Sequence, residues 1–223
     1  MKVNSFIQNL NEGLYDPGIF KAFFLAGGPG SGKTFVTSSA FAGTGLKLVN
    51  SDNAFERNLK KAGLSMKMPD EEEYFRNIIR QRAKTTAITQ LETYLKGRLG
   101  LVIDSTGRDY DLIARNVNML KQIGYDCYMV FVNTSLEVAL ARNARRERTI
   151  PEYITTSSWN GVQSNMGKFQ RLFGMSNFLV VDNNKSDLEL TTLTMNRVSK
   201  EVRKYMKTPI QSYIAKRWMA SER

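Results

Sequence analysis

The stretch "IFKAFFLAGGPGSGKTF" constrains the chain more than any other. A compact apolar run ends in glycines, and the glycines run into Lys33, where a helix is expected to begin. The apolar run reads as a buried strand. Gly27, Gly32, Lys33 and Thr34 match the spacing G-x-x-x-x-G-K-[ST], with the strand before and the helix after that this motif requires. From Gly27 through Gly28, Pro29, Gly30 and Ser31 to Gly32, the backbone N–H groups are free to close around phosphate oxygens. The helix N-terminus adds the positive end of its dipole. Lys33 brings a point charge for the β- and γ-phosphates, and Thr34 a hydroxyl for Mg²⁺. Phe35 completes the expected nucleotide-binding set. The loop predicts a bound nucleotide and leaves open what is done with it.

The rest of the chain alternates strand and helix from about residue 20 to about residue 206. That pattern predicts an α/β fold with a mainly parallel sheet of five strands and helices on both faces. Strands are expected at "IFKAFFLA", "LKLVNSD", "LGLVIDST", "YDCYMVFVN" and "NFLVVDN". Before the third strand, Phe75, Ile79, Ala83, Ala87, Leu91 and Leu95 recur every four residues on one long helix. Asp70 with Glu73 predicts a capping box at its start. A helix from Asp109 to Ile123 is stopped by Gly124. Another is expected from about Ser135 into "ARNARRERTIPEYI". Leu188, Met195, Val198, Val202 and Tyr205 form a last stripe, with Lys200, Arg203 and Lys204 on a solvated face. Residues 1–19 read as an N-terminal extension, with Val3, Phe6, Ile7 and Leu10 on one helical face. Residues 20–206 are the expected core domain. Residues 207–223 read as a tail with a short amphipathic helix, docking back through Ile210, Ile214 and Trp218.

Composition removes several chemistries. Among 223 residues there is no histidine, which excludes hydrolases with a His base and His-ligated zinc. Acid–base work falls to Asp, Glu, Lys or Tyr. Cys127 is the only cysteine, so no internal disulfide forms, and a reducing cytoplasm fits. No run reaches the length of a membrane span, and no membrane partner is expected. A net charge of +11 suits anionic ligands, although the same charge serves solubility.

Three features downstream narrow the use of the nucleotide. Asp52 ends the second strand, at the sheet edge where ligands of open parallel sheets bind. It reads either as the cap of a helix starting at residue 53 or 54, or as a carboxylate that takes a proton from an attacking hydroxyl. Asp104 ends the third strand in "LVID" and has the form of an acid that orders Mg²⁺. Ser105 follows it, where many motor ATPases place an activating Glu. "STGRD" then puts Thr106 and Arg108 on the same rim, with Asp109 as a helix cap. Finally, Arg142, Arg145, Arg146 and Arg148 crowd into seven residues. On a continuous helix, Arg142, Arg145 and Arg146 share one face, suited to closing over phosphates as a lid.

Taken together, the order of these parts resembles the zeta-toxin kinases and the related polynucleotide-kinase-like P-loop kinases, over about residues 20 to 185. "LVIDSTGRDYD…ML…GY" is similar to zeta toxins, and "RNARRERTIP" to the lid of polynucleotide kinases. The resemblance implies a three-layer P-loop fold with an Arg-rich lid, ATP as donor (GTP possible) and Mg²⁺. It implies Asp52 as catalytic base, and Lys33 and Thr34 as phosphate and Mg²⁺ contacts. Thr106 and Arg108 would face the substrate, Arg142 and one of the following arginines would act from the lid, and Asp182 and Asn183 would lie on the base side of the nucleotide. Two positions depart from zeta toxins. Ile88 stands where they carry a substrate-facing Glu, and Asp104 where they often carry Glu.

The expected activity is therefore transfer of a γ-phosphate to a hydroxyl. "STGR" favours a nucleotide-sugar acceptor; the lid and net charge favour a polynucleotide 5′-end. No residue here identifies the chain as a toxin or identifies an antitoxin partner. The alternatives are a nucleic-acid-binding ATPase that uses ATP as a switch and, with less support, a kinase fold kept only as a binding module.

Overall fold

Strand β1 (Lys21–Ala26) is buried along its whole length, as an apolar strand with neighbours on both edges and helices on both faces must be. The computed structural model describes residues 12–184 and 187–223. In it, β1 is flanked by β3 (Leu101–Asp104) and β4 (Asp126–Asn133), with β2 (Lys47–Val49) and β5 (Phe178–Asp182) at the edges. The order is β2-β3-β1-β4-β5, and every pairing is parallel. Ala22, Phe24 and Ala26 face one core, and Phe23 and Leu25 face the other, the two-residue alternation of a strand.

Helices fill both faces. The Phe24 side packs α4 (Tyr110–Gln122) and α6 (Glu152–Phe173) against the sheet. The Phe23 side packs α1 (Lys33–Ala40) and α7 (Leu188–Lys207). A satellite core joins α2 (Ser51–Lys61) to α3 (Glu73–Lys96) through Ala54, Phe55, Leu59, Ile79 and Ala83. Helix α5 (Leu136–Ala144) precedes α6, and α8 (Tyr213–Ser221) closes the chain.

The structure corrects several expectations. Asp70–Glu72 form a separate 3₁₀ turn and α3 begins at Glu73 with no side-chain cap, so the capping box is not made. Instead, Glu72 accepts from Ser65 N–H at 2.8 Å. Phe75 heads the α3 stripe in sequence but is 60% exposed, because the stripe reaches the core only from Ile79 onward. The helix from Ser135 does not continue through the arginines. It stops at Ala144, and a separate 22-residue helix, α6, follows. On α7, Met195, Val198 and Val202 are buried while Lys200, Arg203 and Lys204 are exposed.

In the tail, Ala215 is buried and Trp218 packs edge-on against Phe20 at 5.5 Å, with Ile210 beside them. Ile214 is half exposed instead. Val3, Phe6, Ile7, Leu10 and the side chain of Leu188 lie outside the described residues. Among the described residues, no helix is long and apolar enough to cross a membrane.

Candidate active site

The loop between β1 and α1 lies at the C-terminal end of the central strand, where the chain leaves the sheet's topological switch point. Gly30 and Gly32 have φ of +78° and +88°, the left-handed region that favours glycine. Space reinforces the backbone requirement. A Cβ on Gly30 would collide with the Ala139 carbonyl, and one on Gly32 with the Asn183 amide. Asn183 holds the loop from behind, donating from Nδ2 to Ser31 O at 2.7 Å and accepting at its own carbonyl from Arg142 Nη1 at 2.7 Å. Lys33 folds its ammonium onto the carbonyl of Gly27. Burial pulls its pKa down, against the opposing charges of Asp104 and Asp52.

The ends of β2 and β3 supply the acids. Asn50 is the N-cap of α2, its Oδ1 accepting from Asp52 N–H at 2.6 Å. The cap therefore falls two residues before Asp52, and Asp52 sits in the first turn with its carboxylate half exposed. Asn50 Nδ2 donates to Asp104 Oδ2 at 2.7 Å. The other oxygen, Asp104 Oδ1, is buried with no hydrogen-bond partner among the described residues. Burial raises the Asp104 pKa; Lys33 opposes this and Asp52 adds to it.

Beyond Arg142, in the last turn of α5, the arginine segment is a loop pinched at its base by Asn143. Its side chain donates to Ile150 O at 2.6 Å and accepts from Ile150 N–H at 3.2 Å. The loop docks on α2. Arg148 is only 7% exposed, with Nε 2.9 Å from Glu56 Oε1 and Nη1 3.5 Å from Asp52 Oδ1. Both are ion pairs at long or misaligned hydrogen-bond geometry, since Nε makes no aligned bond. Phe55 lies beneath, with Arg148 on its ring at 5.7 Å and Arg80 at 4.2 Å.

These elements enclose one cavity of about 440 Å³. It is lined by Gly28, Pro29, Gly30, Gly32, Lys33, Thr34 and Phe35 from the loop, by Asn50, Asp52, Asn53 and Glu56 from α2 and its cap, by Asp104 and Thr106 from the end of β3, and by Arg142, Arg146, Arg148 and Ile150. Gly27 and Ser31 stand behind the loop wall, Gly27 donating its N–H to Thr106 O at 2.9 Å. Arg145 does not join them. It is the exposed C-cap of α5, because the helix ends before the arginines can share a face. Arg108 lies in an adjacent shallow depression with Tyr110, Asn165 and Lys168, and Thr106 borders both spaces. Asp182 is exposed and accepts from the Asn184 amide at 2.6 Å. Ile88 is exposed on α3, away from the cavity.

Asn50, Glu56, Asn143 and Asn165 went unread in the sequence. For Asn50 a signal existed: "VNSD" offers a favoured cap residue two places before Asp52. For the others, only the fold brings the partners together. The site groups Lys33, Arg142, Arg146 and Arg148 around one space with Asp52, Glu56 and Asp104. Such a grouping is suited to polyphosphate and keeps a carboxylate within the same space.

Sheet order, loop and cation cluster define a P-loop kinase fold. The chain belongs to the family described as an AAA domain (AAA_33), whose model matches residues 23–169. No curated protein matches the sequence significantly. Solved structures share the fold at low identity. A proposed kinase from Chloroflexus aurantiacus is 17% identical, with a TM-score of 0.57 over 82% of this chain and 97% of that one. Shikimate kinase from Acinetobacter baumannii, bound to shikimate, is 18% identical, with a TM-score of 0.51 over 85% and 95%. A chain of the PezAT chromosomal toxin–antitoxin system of Streptococcus pneumoniae is 14% identical, with a TM-score of 0.53 over 92% and 98%.

Proposed function

We propose that this protein transfers the γ-phosphate of ATP to a hydroxyl of an anionic acceptor, a nucleotide-sugar or a polynucleotide 5′-end. The observation that carries this reading is the single cavity holding Lys33, three arginines and the half-exposed Asp52. In the reaction, the acceptor oxygen attacks the γ-phosphorus while the bond to the β–γ bridging oxygen breaks. Asp52 takes the hydroxyl proton, and ADP leaves with the bridging oxygen. Lys33, Arg142, Arg146 and Arg148 stabilise charge on the phosphoryl oxygens; Arg145 plays no part from its present position. Gly27 to Phe35 hold the donor, with Asp182 and Asn183 toward its base. Thr106 and Arg108 face the acceptor.

The orphaned Asp104 Oδ1 and the exposed Thr34 hydroxyl suit a hard divalent cation, which takes oxygen ligands. Mg²⁺ held there would neutralise phosphate charge. The catalytic unit is taken as residues 20–206, with the tail packed against it, and the buried Cys127 fits a cytoplasmic setting. Likeness to a chain of the PezAT system is compatible with an antitoxin-like protein partner.

The test is γ-phosphate transfer from labelled ATP or GTP to nucleotide-sugars and to 5′-hydroxyl oligonucleotides. Asp52→Asn should lower transfer by about 10²- to 10⁴-fold. Undiminished transfer by that variant would remove Asp52 as base. Polymer-stimulated ATP hydrolysis with no phosphorylated product would favour the ATP-switch reading instead.

A further inference from the structure

We infer that Asn50 is the positioning residue that couples the base to the cation-holding acid. The inference rests on the proposed kinase reading. Asn50 follows β2 and uses both ends of one amide inside the cavity. Oδ1 takes the Asp52 N–H at 2.6 Å and so fixes where α2 begins. That start places Asp52 in the first turn and Glu56 one turn on, both toward the cavity and both beside Arg148. Nδ2 gives a hydrogen to Asp104 Oδ2 at 2.7 Å. With that oxygen engaged, only Oδ1 is left without a partner. The amide thus presents one chosen oxygen of Asp104 to a cation and fixes the carboxylate's rotation. The same side chain sets the register of the base.

Three near replacements each lose one of the two contacts. Aspartate would cap the helix but places a like charge on Asp104. Serine caps the helix and has too short a reach to replace the amide donor. Glutamine adds a methylene and moves the acceptor away from the cap. Partners that orient a ligating carboxylate typically alter metal affinity by 10- to 100-fold when removed.

The experiment uses the full chain and a fluorescent ATP analogue, titrated with Mg²⁺ and separately in EDTA, together with thermal unfolding. Asn50→Ser keeps an acceptor for the cap and removes the donor to Asp104. It should raise the Mg²⁺ midpoint for analogue binding by about tenfold, well beyond any change in binding measured in EDTA, and hold the unfolding temperature near wild type. Asn50→Ala should raise the midpoint similarly and also lower the unfolding temperature through loss of the cap. An unchanged Mg²⁺ midpoint in Asn50→Ser overturns the inference, whatever its stability. A wild type that binds the analogue with no Mg²⁺ dependence overturns the assignment of Asp104 as well. A wild type that binds no nucleotide overturns the kinase reading itself.

Discussion

Lys33 and Arg148 show how the site handles charge one residue at a time. Burial lowers the Lys33 pKa from its ordinary value, while Asp104 and Asp52 resist the shift. A lysine whose folded value lies below its unfolded one is a liability while charged. The penalty is full below the folded value and fades as pH rises through that value toward the ordinary lysine value. Phosphate beside the ammonium restores the charged form. ATP binding should therefore take up protons at pH values between the lowered folded value and the ordinary lysine value. Calorimetry over a series of pH values below the ordinary lysine value, in buffers of differing ionisation enthalpy, reads this directly. The uptake should vanish in Lys33→Met, and net proton release in the wild type would contradict the account. Arg148 is already neutralised by Glu56 and Asp52 without any phosphate. Arg148→Met keeps the stem against Phe55 and removes the fork. It should slow phosphate transfer by about a hundredfold, as loss of one preorganised donor does. A variant as fast as wild type would show that Arg148 serves α2 alone.

Helix α6 carries the largest gap between sequence and structure. Its buried positions are Thr155, Ser158, Val162, Asn165, Phe169 and Phe173. The spacing is that of a helix face, but three of the six are polar, so hydrophobic periodicity does not reveal it. Of those polar groups, Asn165 bonds inward, while the Thr155 hydroxyl is buried with no hydrogen-bond partner among the described residues. Asn165 donates from one Nδ2 to Gly107 O at 3.1 Å and Arg108 O at 2.9 Å, holding the rim that follows β3. Nearby, Trp159 Nε1 donates to Thr134 O at 2.9 Å. Asn165→Ala would strand two carbonyls and should lower stability by about 1–3 kcal/mol in urea unfolding. No loss would mean that water replaces the amide without penalty. Strands, by contrast, were legible, since "AFFLA" and "YMVFV" are apolar runs too short for helices and bounded by turns. The phosphate loop was legible because its chemistry is local: glycines, Lys33 and Thr34 sit within eight residues. Asp52, Asp104 and the arginines were visible as residue types. The sequence alone could not show that α5 stops at Ala144 and leaves Arg145 outside. That stop depends on Asn143 bonding to Ile150 across the loop.

At the scale of the whole molecule, the site occupies one end of the sheet and a buried ion pair ties the other. Lys21 opens β1 and is 2% exposed. Its ammonium donates to Asp126 Oδ2 at 2.7 Å, at the start of β4, and to Thr208 O at 2.7 Å, between α7 and α8. One side chain thus joins the central strand, its neighbour and the returning tail. Taking a lysine out of water is unfavourable, and the pair and carbonyl offset that only while both are present. Lys21→Met leaves Asp126, itself 28% exposed, without its partner. The cost should be about 3 kcal/mol, the lower end for a broken buried pair, because water still reaches the carboxylate. Lys21→Met combined with Asp126→Leu should recover part of it, since no lone charge remains. Both variants should bind ATP with wild-type affinity where they are folded, because Lys21 lies at the far end of β1 from the phosphate loop. Urea unfolding and nucleotide titration separate the two quantities. Equal stability for wild type and Lys21→Met would show that the pair contributes nothing. Weakened ATP binding in a fully folded Lys21→Met would show that the two ends of the sheet are coupled.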